Sequence, residues 1–234
     1  GNERGVGEGV RTCGLPRDEI FVTSKVAAEH KSYATAAASV DETLLKMKLD
    51  YLDMMIIHAP QPWAEWRGAK RYFDENREVW RALEDAQKAG KLRAIGVSNF
   101  LRDDLESLLP HCGILPAVNQ VLAHIGHVPT ELIAFCRDNG IAVEAYSPIA
   151  HGEALKSPVI ADTAKKYGVS PARLCIRYLL QLGLIALPKA SSPDHIRENA
   201  ELDFIITDED MERLGRADFR DYGEYNYFPV FSGK

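Results

Sequence analysis

The sequence predicts an α/β fold in which a parallel sheet, covered by helices, closes as a (β/α)8 TIM barrel. Three observations carry that expectation. Short runs rich in Val, Ile and Leu alternate with longer amphipathic stretches, the pattern of strands buried on both faces. Six successive runs finish on a side chain able to hold a ligand or move a proton: Lys25, His58, Asn99, Gln120, Tyr146 and Lys189. They follow one another at about 33 residues on average, close to ~250 residues shared among eight βα units. In an open sheet only strands beside the switch point reach a ligand, whereas every strand of a barrel ends at one mouth.

Taken in order, the start "GNERGVGEGVR" (1–11) reads as the front of a helix. Its glycines 5, 7 and 9 make no dinucleotide loop, because no strand precedes them. "EIFVTSK" (19–25) is expected as a strand, and residues 35–49 as a helix with Val40, Leu44, Leu45 and Leu49 on one face. The strand "LDMMIIH" (52–58) turns at Pro60 into a Trp-containing loop, and the helix 75–91 stops at Gly90. Strands at 92–99, 116–120 and 141–147 alternate with helices near 101–109 and 129–138. Two helical stretches (157–167, 171–182) precede the strand "LIALPK" (184–189); one helix follows Pro193 and another covers 207–217.

The chain of 234 residues shows no Gly/Pro/Ser-rich linker, so residues 1–234 are expected to form a single barrel domain, with 218–234 as a tail over its mouth. A net charge of −6, from 28 Lys+Arg against 34 Asp+Glu, argues against nucleic acid or an anionic membrane as partner. Cys13, Cys112, Cys136 and Cys175 stand far apart without a CxxC pair, which suits reduced, small apolar side chains. No apolar run reaches the ~18 residues of a membrane helix, and the polar start is no signal peptide, so a cytoplasmic location is expected.

Taken singly, each strand-end residue has an ordinary reading. Lys25 and Lys189 would be solvated surface groups, His58 a core histidine with a partner, Asn99 and Gln120 turn residues, and Tyr146 an amphipathic core residue. Their common placement points to a site. A zinc hydrolase is poorly supported: His58 has no neighbour at ligand spacing, and His124 and His127 fall in a loop after Gln120.

"FVTSK" (21–25), "LDMMIIHAP" (52–60), "GKLRAIGVSNF" (90–100), "VNQV" (118–121), "EAYSP" (144–148) and "LPKASSPDHIREN" (187–199) together resemble the aldo-keto reductase superfamily, nearest in character to its bacterial diketogulonate-reductase-like members. The resemblance spans essentially the whole chain. It implies reduction of an aldehyde or ketone, a small-molecule carbonyl substrate, by hydride from NADPH, with NADH as the alternative cofactor. A tyrosine would protonate the forming alkoxide. Lys25 would match the lysine that lowers that tyrosine's pKa beside an aspartate, and His58 the histidine that orients the carbonyl. Ser98, Asn99 and Gln120 would hold the nicotinamide carboxamide, and Tyr146 would stack on the ring. Ser147 would approach the pyrophosphate, Lys189 the 2′-phosphate, and Glu198 and Asn199 the adenine. His195 stands where an arginine is common, and Ala190 where a serine is common.

Substrate choice would rest on Trp63, Trp66 and the aromatic tail 221–231, with Ala59 replacing a frequent tryptophan and widening the pocket. By the same likeness the aspartate and tyrosine, two strands and a helix would lie upstream of Gly1, leaving six of eight strands here. The alternatives carried with this reading are a catalytically silent cofactor-binding or interaction protein on the same barrel, or an inactive fragment.

Overall fold

Four helices open on a hydroxyl that accepts the backbone N–H three residues on: Ser32 from Thr35, Ser170 from Arg173, Ser192 from His195 and Thr207 from Asp210. The computed structural model describes residues 1–219 and 221–232. Contacts group it into two compact units, 1–119 and from 120 onward.

The first unit runs α1 (Glu3–Thr12), β1 (Thr23–Val26), α2 (Tyr33–Met47), β2 (Leu52–Ile57), α3 (Phe73–Lys88), β3 (Leu92–Ser98), α4 (Arg102–Leu108) and the start of β4 (Val118–Leu122), with strand order β1-β2-β3-β4. The second carries the rest of β4, then α5 (Thr130–Asp138), β5 (Ala142–Tyr146), α6 (Pro158–Tyr167), α7 (Pro171–Gln181), β6 (Ile185–Leu187), α8 (Pro193–Ala200) and α9 (Asp208–Gly215), in the order β4-β5-β6. The pairs β1–β2, β2–β3 and β5–β6 are parallel. The division falls inside β4.

Most elements form where periodicity places them, α1 among them, and two strands differ. The glycines of 1–11 lie inside α1, where Gly7 is buried against the carbonyl end of α2: a Cβ there would stand 2.1 Å from the Met47 oxygen. Strand β1 begins at Thr23, because the Val22 N–H goes to the Asp53 carboxylate (2.8 Å) and residues 17–19 form a 3₁₀ turn. Strand β4 covers 118–122 and not 116–120, so Gln120 sits mid-strand. Pro116 has no N–H for the ladder, while Val121 and Leu122 are buried and extend the strand. The stop at Gly90 is as expected, with φ +77°.

Register fixes which side chains share a face. Lys25 pairs with Ile56, and Ile56 with Gly96, while Met54 pairs with Ala94. Met54, Ile56 and Val118 form a buried cluster with Ala94 packed against it, on the face that carries Lys25, His58 and Ser98 farther along. Gly96 makes that packing possible. A Cβ on it would lie 2.7 Å from Val118 Cγ2, 2.9 Å from the Val118 carbonyl oxygen and 3.0 Å from Ile56 Cγ2. Gly96→Ala is therefore expected to cost ~1–3 kcal/mol of stability by overpacking, read as a lower urea midpoint. An unchanged midpoint would show that the strands can spread.

None of the four cysteines is in a disulfide; Cys136 and Cys175 are buried and Cys112 partly so. Cys13, expected as a buried apolar side chain, is exposed instead, because it caps the surface end of α1. No helix among the described residues is long and apolar enough to cross a membrane.

Candidate active site

In the first unit, β1 and β2 deliver Lys25 and His58 to one face. The His58 N–H donates to the Val26 carbonyl (3.0 Å), continuing the β1–β2 ladder one residue past Ile57. His58 is half-buried. Burial, and then the positive charge of Lys25, bring its pKa down to about 4, against the opposing pull of Glu29. At neutral pH the ring is therefore an uncharged imidazole with one N–H to give.

Strand β3 ends on Ser98 and Asn99, both buried. Asn99 takes φ +61°, and its amide nitrogen donates to the His58 carbonyl (3.0 Å) and the Ser98 hydroxyl (3.0 Å). The backbone of His58 is thus tied to the residues expected to hold a carboxamide.

A second brace was not legible in the sequence. Lys31 Nζ donates to the Ala59 carbonyl (2.8 Å) and to Asn76 Oδ1 (2.9 Å), and Asn76 Nδ2 donates to the Pro60 carbonyl (2.9 Å). Lys31 and Asn76 so clamp the turn that follows His58. Burial lowers the Lys31 pKa to about 8. The polar stretch "AEHKSY" gave no hint that this lysine is enclosed.

The loop after the turn brings the expected tryptophans together. Trp63 meets the His58 ring edge-on at 5.1 Å and lies 5.3 Å from Trp66. Buried Gln61 holds the loop: its carbonyl accepts the Arg67 N–H (2.9 Å), and its amide donates to the Gly68 and Lys70 carbonyls. Pro60, Gln61, Trp66, Arg67, Asn99 and Leu101 line a cavity of about 210 Å³.

In the second unit, Gln120 Nε2 donates to the Glu144 carboxylate (2.7 Å), both groups buried. Tyr146 ends β5, half-buried, and Ser147 follows it with φ +54°. The Ser147 hydroxyl meets His151 Nε2 at 3.2 Å, and Lys189, exposed after β6, depresses the His151 pKa further than burial alone. Ser147, His151 and Lys189 thus form one cluster. His151 escaped sequence reading because it stands in the left-handed region (φ +56°), which nothing in a non-glycine residue announces. On α8, His195 is exposed at the first turn, with its N–H given to the Ser192 cap, and Glu198 and Asn199 are half-buried one turn on.

The tail packs on the loops after β4 and β5. Fully buried His124 stacks on Phe219 (5.1 Å) and meets the Tyr222 hydroxyl at Nε2 (3.0 Å) and the Ile125 carbonyl at Nδ1 (2.6 Å). The carbonyl can only accept, so Nδ1 carries the proton and Tyr222 donates to Nε2. Burial brings the His124 pKa down to about 4. Tyr225 stacks on His151 at 4.0 Å. Arg220, Gly233 and Lys234 of the expected tail lie outside the described residues.

A parallel α/β chain whose strand ends carry a lysine, a neutral imidazole and a carboxamide is built as an enzyme on the (β/α)8 plan. Residues 1–218 match the model of the aldo/keto reductase family. The chain is 41% identical over 214 residues to a glyoxal reductase of Bacillus subtilis, covering 91% of this chain and 74% of that protein. It is 36% identical to 2,5-diketo-D-gluconic acid reductase B of a Corynebacterium, again covering 91% and 74%. Among solved structures, an aldo-keto reductase from a deep-sea metagenome superposes with a TM-score of 0.85 at 31% identity, covering 93% of this chain and 78% of that one. A silkworm aldo-keto reductase complexed with NADPH does so at 0.82 and 29%, covering 92% and 70%. This chain belongs to the aldo/keto reductase family and is an NAD(P)H-dependent oxidoreductase of the carbonyl-reducing kind.

Proposed function

We propose that this chain reduces small aldehydes and ketones with NADPH in the cytoplasm, where its four cysteines, none of them in a disulfide, would stay reduced. The observation that carries the reading is a neutral imidazole, His58, beside Lys25 on one face of adjacent strands. His58 offers its N–H to the carbonyl oxygen and so fixes which face of the substrate is open. Lys25 supplies the positive charge that a neighbouring phenol needs to give and regain a proton near neutral pH. Trp63 and Trp66 wall the substrate against water. A bound reduced nicotinamide supplies the hydride.

The donor set suits that cofactor. In the first unit, Ser98 and Asn99 present a hydroxyl and a carboxamide to the amide end. In the second, Gln120 presents a carboxamide and Tyr146 a ring. The Ser147 hydroxyl, the His151 imidazole and the Lys189 ammonium are the chemistry a phosphate takes, with His195, Glu198 and Asn199 beyond them on α8. The tail 218–234 would cover the mouth of a single barrel domain.

Binding tests the cofactor assignment directly. NADPH is expected to quench the protein's fluorescence at lower concentration than NADH, and Lys189→Met to erase the difference, a change of about tenfold for one charged hydrogen bond. Equal affinity for the two cofactors in the unaltered protein would defeat the role given to Lys189.

A further inference from the structure

The cavity beside Asn99 has an unbalanced wall. Gln61 spends its carbonyl on the Arg67 N–H and its amide on two loop carbonyls, and the Pro60 carbonyl is taken by Asn76. Asp104, the carboxylate on that wall, accepts from Arg71 at 2.8 Å and from the Leu101 N–H at 3.0 Å. Arg71 is engaged a second time, by Asp103.

Two donors are left over. The Trp66 indole N–H is buried with no hydrogen-bond partner. The Arg67 guanidinium forms no ion pair among the described residues and lies over the Trp66 ring, 5.7 Å from its centroid. Arg67 is also held in place, since Gln61 fixes its backbone at φ +56°. A buried N–H without an acceptor is costly, and the exposed Arg67 guanidinium over the same indole ring adds a positive charge that favours an anionic oxygen there.

The geometry points to a carboxylate subsite formed by Arg67 and Trp66, which makes Arg67 a specificity-determining residue for aldehydes that carry an acid group away from the reacting carbonyl. This inference rests on the carbonyl-reducing reading for its kinetic consequence, though not for binding itself. The volume admits a short chain of a few carbons, and the donors accept a carboxylate but give nothing to an alkyl end.

The probe is 4-hydroxybutanoate against 1-butanol, followed by the indole N–H resonances in ¹⁵N NMR, with Trp66→Phe identifying the signal. The Trp66 resonance is expected to shift saturably with the carboxylate, to ignore butanol, and to stay fixed in Arg67→Met. In turnover, 4-oxobutanoate is expected to exceed butanal in kcat/KM by about tenfold to hundredfold, the range of a charged hydrogen bond. Arg67→Met should bring that ratio near one, and Arg67→Lys should leave part of it. No shift of Trp66, an equal shift in Arg67→Met, or a ratio indifferent to Arg67 overturns the subsite. A carboxylate that binds at Trp66 in a protein reducing neither aldehyde upholds the subsite and overturns the carbonyl-reducing reading instead.

Discussion

Lys25→Met is expected to lower the rate of carbonyl reduction by ~10²–10⁴-fold, the usual contribution of a positioned proton donor, while NADPH still binds. The argument is electrostatic. Methionine keeps the length of the side chain and its packing on β1, but removes the ammonium proposed to stabilise a phenolate. The same charge disfavours the imidazolium of His58 and helps hold its pKa near 4. The variant therefore carries a second signature. The His58 pKa, followed by NMR, should rise from about 4 toward the ordinary 6.5, though burial, the larger cause, keeps it below that value. An undiminished rate would remove Lys25 from the mechanism, and an unmoved His58 titration would show that the two groups are not coupled.

Acid should destabilise the protein steeply between pH 6.5 and pH 4. His58 and His124 both have folded pKa values of about 4, below the 6.5 of the unfolded chain. Across that window the unfolded state binds up to two more protons than the folded one, so unfolding becomes easier as pH falls. Above pH 6.5 both rings are neutral in either state and their contribution is constant; below pH 4 both are charged and the loss is complete. Each shift corresponds to roughly 3 kcal/mol as an order of magnitude. Urea midpoints at pH 7 and pH 4.5 measure it. His124→Phe separates the two sites: it keeps the stack on Phe219 and strands the Tyr222 hydroxyl, so it should be weaker at pH 7 yet lose less on going to pH 4.5. A variant with the wild-type acid slope would leave His124 uninvolved.

Much of the fold was legible because it rests on local patterns. Runs such as "MMII" and helices such as "ENREVWRALEDAQ" declare themselves by period and by turn residues, and the polar ends at Lys25, His58 and Asn99 stand where those runs stop. Where reading slipped, the deciding partner lay far off in sequence. Asp53 captures the Val22 N–H and delays β1, and Gly7 serves a contact with Met47 that no glycine spacing reveals. The same holds for the site. His58 announced itself, but Lys31 is defined by Asn76, 45 residues on, His151 by a backbone turn that needs positive φ in a non-glycine residue, and Arg67 by the bonds its neighbours have already spent.

Gln61 suggests how such a protein can change its diet. One amide, bonded to Arg67, Gly68 and Lys70, gives residues 61–70 their shape from within. A segment that carries its own scaffold can change its outer side chains while the strands beneath keep their register.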